Sequence, residues 1–194
     1  MKQEILDLKN KNDKSEDLKN GNLSLLNNSL IITKLDEAEL ISSWISPNKI
    51  IKYQLLYRAT KDGDKENDFH RLCDNKGPTI ILGKTPGGYI FGGYTNVKWR
   101  TSNFSNFPDS EAFVFSLNQK KKFHTKDRNN AISFRKNYIL IFGNGSNSIQ
   151  IENNILTSKN HWSNPEGSYG SNLNLTENKN FSIVEFEVFL IEYN

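Results

Sequence analysis

The stretch Phe181-Ser182-Ile183-Val184-Glu185-Phe186-Glu187-Val188-Phe189-Leu190-Ile191-Glu192-Tyr193 decides the fold class. Val184, Phe186, Val188 and Leu190 recur at every second position, so an extended strand here has one apolar face. Upstream, residues 52–60 alternate in the same way, with Tyr53, Leu55, Tyr57 and Ala59 on one side. Short β-rich runs follow at 79–84, 89–95, 112–117, 138–142 and 148–151. Pro86-Gly87-Gly88, Pro108-Asp109 and Gly143-Asn144-Gly145 mark turns between several of them. This pattern predicts seven or eight short strands: a mainly β (α+β) protein, a two-sheet antiparallel β-sandwich flanked by two or more short helices.

Two helices interrupt the strands. Asp36 is the expected N-cap of the first, with Glu39 completing a capping box and Leu35 and Leu40 forming a staple. Leu40, Ile41, Trp44 and Ile45 then share a face, and Pro47 stops the helix. The second is expected over 64–74, burying Phe69, Leu72 and Cys73 before Gly77-Pro78. Residues 1–29 are rich in Asn, Ser and balanced charge, with Asn10, Asn12 and Gly21 breaking any heptad. They read as a flexible tail or coil remnant, and the domain as 30–194.

Composition narrows the functional classes. Apolar residues make up 36 % of the chain and gather beyond Leu30, so a core can form there. The N-terminus, Met1-Lys2-Gln3-Glu4, leads into charged sequence without a signal-peptide apolar stretch, and no run of apolar residues is long enough to insert in a membrane. Cys73 is the single cysteine, so an intrachain disulfide is impossible and a reducing, cytoplasmic setting is expected. The net charge of +3 invites a nucleic-acid reading, with Lys120-Lys121-Lys122, Lys126, Arg128, Arg135 and Lys136 as its densest stretch. Lysine and asparagine are abundant throughout, however, and a solvated loop accounts for that stretch, so no nucleic-acid partner is assigned.

Candidate chemistry is sparse. Gly83-Lys84-Thr85 resembles the end of a phosphate loop, but Gly77 stands one residue too far away. Pro86-Gly87-Gly88 also follows where a helix is required. Gly143-Asn144-Gly145 lacks the third glycine of a dinucleotide fingerprint. His70, His124 and His161 are widely separated, and His70 with Cys73 makes too few ligands for zinc, so neither metal nor cofactor is expected. The same two residues are the sequence-local candidates for thiol chemistry. Cys73 lies toward a helix C-terminus, where the dipole disfavours a thiolate. Glu185 and Glu187 share a strand face roughly 7 Å apart, a spacing compatible with glycoside hydrolysis. A solvent face or a cross-strand Lys or Arg is the commoner explanation. The consecutive Gly92 and Gly93 inside a strand require close packing, expected against a helix. Trp99-Arg100 is the kind of pair found at interface hot spots.

Leu56-Tyr57-Arg58-Ala59, Asp62-Gly63, Phe69-His70 and the run Cys73-Asp74-Asn75-Lys76-Gly77-Pro78-Thr79 resemble the TLDc family of oxidation-resistance proteins. So do Gly88-Tyr89-Ile90-Phe91-Gly92-Gly93-Tyr94-Thr95, Trp99, Ala112-Phe113-Val114-Phe115-Ser116-Leu117, Gly167-Ser168-Tyr169 and Glu185-Phe186-Glu187-Val188-Phe189. The chain departs from the family at Gly143-Asn144-Gly145, where Ser146 occupies a commonly acidic slot. The resemblance implies a sandwich without a catalytic constellation, linked to oxidative-stress protection and to binding and regulation of the vacuolar proton-pumping ATPase. On that basis the chain is expected to be a protein-binding module, with the loop residues Asp62, Lys76, Lys98 and Arg100 in its partner surface. The alternative is a redox-active protein using Cys73 with His70 beside it.

Overall fold

A computed structural model describes residues 15–16, 20, 22–102, 104–144, 148–164, 166–170 and 174–193. It contains two antiparallel sheets of six strands each. The elements run α1 (Leu35–Ile45), β1 (Ile51–Arg58), the one-turn α2 (Ala59–Asp62), α3 (Glu66–Cys73), β2 (Thr79–Lys84) and β3 (Ile90–Thr95). There follow β4 (Phe104–Phe107), β5 (Phe113–Ser116), β6 (Lys121–His124), a 3-10 turn (Arg128–Asn130), β7 (Ile132–Arg135) and β8 (Tyr138–Phe142). The chain ends with β9 (Ile149–Glu152), β10 (His161–Ser163), β11 (Asn180–Phe181) and β12 (Glu185–Tyr193). The first sheet is ordered β1-β12-β2-β3-β5-β6 and the second β11-β10-β9-β8-β7-β4.

The expected sandwich is present, with more strands than the pattern predicted. The strands it missed, such as β6 and β11, are two to four residues long and partly polar. The lysine-rich stretch assigned to a loop instead contains β6, the 3-10 turn and β7.

Both faces of the first sheet are covered. Its inner face meets the second sheet through Tyr57, Ile81, Phe91, Val114, Phe186 and Val188, packed with Phe134, Leu140 and Phe142. Its outer face carries Tyr53, Ile80, Leu82, Phe113, Phe115, Phe189 and Ile191, packed with Leu25, Ile31, Ala38 and Ile41. This double covering explains why β2 is a continuous buried run and not an alternating one. On β12 the apolar face read from sequence holds for Phe186 and Val188, whereas Val184 is exposed and Leu190 half-buried.

α1 begins at Leu35 with Lys34 as N-cap and no capping side chain, so the expected Asp36 box does not form. Asp36 and Glu37 instead lie in the first turn, where carboxylates face the positive end of the helix dipole. Residues 22–28, which the sequence placed in the tail, are helical, and Leu25 is buried on the outer face of the first sheet. Residues 1–14, 17–19 and 21 of that segment lie outside the described residues.

The paired glycines are explained by aromatic rings. A Cβ on Gly93 would stand 2.6 Å from the Phe142 ring of the facing sheet. A Cβ on Gly92 would run first into the backbone carbonyl of Ile81 and then into the Phe115 ring of the neighbouring strand at 2.5 Å. The tight packing expected against a helix is therefore against phenylalanines and, at Gly92, against the β2 backbone as well.

Candidate docking surface

Trp99 organises the loops that hold most of the predicted surface residues. Its ring is fully buried, meets Phe69, Phe134 and Phe142 edge-on, and donates Nε1–H to Thr79 Oγ1 at 2.8 Å. Trp99 is thus a core anchor and not the exposed hot-spot residue that its loop position suggested. Its backbone fastens one loop to the other, since Asn75 N donates to Trp99 O at 2.9 Å and Trp99 N to Lys76 O at 3.4 Å. Asp74 adds bonds from Thr101 N and Oγ1.

On these fastened loops Lys76, Lys98 and Arg100 are exposed, and the Arg100 guanidinium lies 4.5 Å from the centre of the Phe107 ring. The structure therefore brings three of the four predicted residues onto adjacent loops. Asp62 lies apart and not in a loop: it ends the one-turn α2, where its carboxylate accepts from Arg58 N at 2.9 Å. It acts there as a local cap for the chain leaving β1.

Cys73 is buried in the inner core beneath α3. Burial, and then the charges of Asp74 and Asp62, push its thiol well above the ordinary cysteine range. His70 does not serve it: Nδ1 lies 2.6 Å from Asp74 Oδ1. A nucleophilic or peroxide-reducing cysteine requires an accessible thiolate, and this site opposes both conditions. Among the described residues no group of three or more His, Cys, Asp or Glu is placed to hold a metal ion.

Glu185 and Glu187 face away from the inner core and are engaged by the protein itself. Glu187 pairs with its cross-strand neighbour Arg58, whose Nε donates at 2.8 Å. It also accepts from Ser29 Oγ at 2.6 Å and Leu30 N at 2.8 Å. Arg58 Nη2 reaches Asn28 O at 2.5 Å, so this knot ties the 22–28 helix to β12. Glu185 accepts from Thr60 Oγ1 at 2.5 Å. The cross-strand-cation reading holds for Glu187, and these bonds occupy the carboxylate oxygens that glycoside hydrolysis would need. Thr85, at the end of the phosphate-loop look-alike, donates to Glu177 Oε1, and its neighbours lie in a β2–β3 hairpin. Gly145 and Ser146 lie outside the described residues.

A groove of about 500 Å³ opens between the end of α1 and the outer face of the first sheet, lined by Trp44, Lys49, Tyr94, Glu111, Lys122 and His124 among others. Lys122 donates to Trp44 O at 2.8 Å, and Lys49 lies over the Tyr193 ring. His124 packs edge-on against Phe113, and burial followed by the Lys122 charge lowers its pKa. These cations are held by a carbonyl and by rings, in no nucleophile–base arrangement.

Sequence reasoning missed Phe104 and Phe107, and placed Arg135 in a solvated basic loop, whereas it lies on β7. Arg135 lies over the Phe104 ring, which is 63 % exposed. No periodic pattern announces a strand this short, so its edge position could not be foreseen. No helix among the described residues is long and apolar enough to cross a membrane.

Two comparisons with known proteins bear on the family of the chain. A family model described as the TLDc domain matches residues 26–192. The zebrafish (Danio rerio) MTOR-associated protein MEAK7 is 32 % identical over 66 residues, covering 34 % of this chain and 14 % of that protein. The chain thus spans only a small part of that relative's length.

Proposed function

Because the chain belongs to the TLDc family, we propose that it is a non-enzymatic docking module whose partner is the vacuolar proton-pumping ATPase, in a role tied to oxidative-stress protection. TLDc domains are protein-interaction modules, and this one presents Lys76, Lys98 and Arg100 on loops pinned by the buried Trp99. That pinned cationic surface is the observation that carries the reading. Loops held by a rigid anchor lose little further freedom on binding, so more of the contact energy appears as affinity.

The test is retention of purified vacuolar ATPase by the immobilised full chain, compared with Lys76→Glu/Lys98→Glu/Arg100→Glu. Retention by the wild type and its loss in the triple variant support the proposal. No retention by the wild type removes the ATPase as partner. The relation of the fish relative to mTOR makes an mTOR-containing assembly a second candidate for the same assay. The competing redox reading through Cys73 and His70 requires a thiol that peroxide can reach, and the burial of Cys73 weighs against it.

A further inference from the structure

The free edges of the two sheets are not alike. In the first sheet, β6 carries Lys121 and Lys122, which discourage pairing with another chain. β1 has a register shift between Leu55 and Tyr57, and its Tyr53 N–H is taken by Ser24 Oγ at 3.1 Å. In the second sheet, β11 has only two residues. β4 differs: it pairs with β7 alone, bears no charged side chain and presents Phe104 to solvent. Alternate residues of an antiparallel edge strand direct N–H and C=O away from their partner, toward a further strand; on β4, Phe104 O also accepts from Ser105 Oγ at 2.7 Å, a bond that an added strand would have to share or replace.

Two guanidiniums flank this edge on opposite faces. Arg135, cross-strand from Phe104, lies 5.3 Å from its ring centre. Arg100 lies over Phe107, which points to the other face and meets Phe134 at 5.2 Å. Arg135 Nη2 donates to Asn144 Oδ1 at 2.9 Å, while its shielded Nε has no acceptor among the described residues. Lys76 and Lys98 add positive charge on the adjoining loops. The acid on those loops, Asp74, is already engaged by His70 and Thr101.

We infer that β4 accepts an extended, acidic segment of a partner protein as an additional strand, with its carboxylates against Arg100 and Arg135. Backbone pairing demands an extended peptide, and a guanidinium fork matches a carboxylate. A nucleic acid would meet the same cations but gain nothing from the open ladder. The inference rests on the docking reading above and names the chemistry of its partner.

The test titrates the isotope-labelled full chain with a short peptide of alternating valine and glutamate. A valine–lysine peptide and a single-stranded oligothymidylate are run in parallel. The acidic peptide should bind and shift amides in β4, β7 and the 98–102 loop. Arg100→Ala/Arg135→Ala should weaken it by roughly tenfold or more. If that variant does not fold, Phe104→Ala, which removes an exposed ring, serves in its place. Absence of binding, shifts confined elsewhere, unchanged affinity in the variant or preference for the oligonucleotide each overturn the inference. Equal retention of the ATPase by the wild type and the double variant also overturns it and leaves the docking reading intact. If the wild type retains no ATPase, the proposed partner fails, while the peptide titration still judges the edge.

Discussion

Replacing Arg58 with alanine should destabilise the protein far more than removing a surface cation. The Glu187 side chain is 0 % exposed and that of Arg58 15 %, so truncating Arg58 leaves a buried carboxylate without its countercharge. Breaking such a pair costs about 3–5 kcal/mol. Glu187 keeps its bonds from Ser29 and Leu30, which places the expected loss near the lower end, about 3 kcal/mol. With a urea m-value of about 2 kcal/mol/M, the unfolding midpoint should fall by roughly 1.5 M. Lys52→Ala is the control. Its ion pair with Glu192 spans 3.9 Å between side chains 64 % and 45 % exposed, and its loss should cost under about 1 kcal/mol. Arg58→Met combined with Glu187→Leu should cost less than Arg58→Ala alone, because no buried charge remains unpaired. The assay is equilibrium urea unfolding followed by tryptophan fluorescence. If Arg58→Ala matches Lys52→Ala, the Arg58–Glu187 knot does not hold the 22–28 helix to the sheet.

Gly93→Ala should cost about 1–3 kcal/mol through its clash with Phe142, and Phe142→Leu should make the alanine less harmful. Additive losses in that double-mutant cycle would refute the close approach. Cys73 in the native protein should react with a thiol reagent roughly a hundredfold more slowly than in denaturant, and peroxide consumption should equal that of Cys73→Ser. Faster loss of peroxide with the wild type would restore the redox reading. His161 donates from Nε2 to Ile155 O and accepts from Glu152 N at Nδ1, so it is held neutral, and burial lowers its pKa. The unfolded chain then takes up this proton at higher pH than the folded one. Stability should therefore fall as pH drops below the ordinary histidine value of about 6.5. A pH series of unfolding midpoints should be flatter for His161→Gln, and an unchanged slope would reject the assignment.

The sequence made the sandwich legible because strands such as β3, β8 and β12 carry enough aromatic and β-branched residues to stand out. Its limits have physical causes. Period-two alternation presupposes one wet face, and in the first sheet both faces are buried, so β2 shows an unbroken apolar run. The 22–28 helix was hidden because it packs through few residues, with Leu25 buried and Leu26 partly so. The rest of its attachment is polar and long-range: Ser29 meets Glu187 across 158 positions, and Asn28 O meets Arg58 across 30. Such a tie leaves no local pattern. The α1 cap moved because Leu35 is already helical, which makes Asp36 a first-turn charge and not a cap.

The surface shows the same division between residue type and placement. Lys76 could be assigned to a loop because Asn75 and Gly77-Pro78 flank it, and Lys98 and Arg100 because they follow the strand at 89–95; the structure does put all three on adjoining loops. Trp99 could not be assigned from its loop position. Whether a tryptophan faces solvent or core depends on what lies beneath the loop, here Thr79, Phe69 and Phe134. The exposed aromatic of the neighbouring edge is Phe104, under Arg135 and on a strand too short to announce itself. An arginine over a phenylalanine ring on each face of one open edge makes that edge both cationic and apolar. A partner that satisfies both must carry carboxylates and apolar side chains on an extended backbone. That requirement makes the acidic-peptide titration a sharper discriminator than any measurement of net charge.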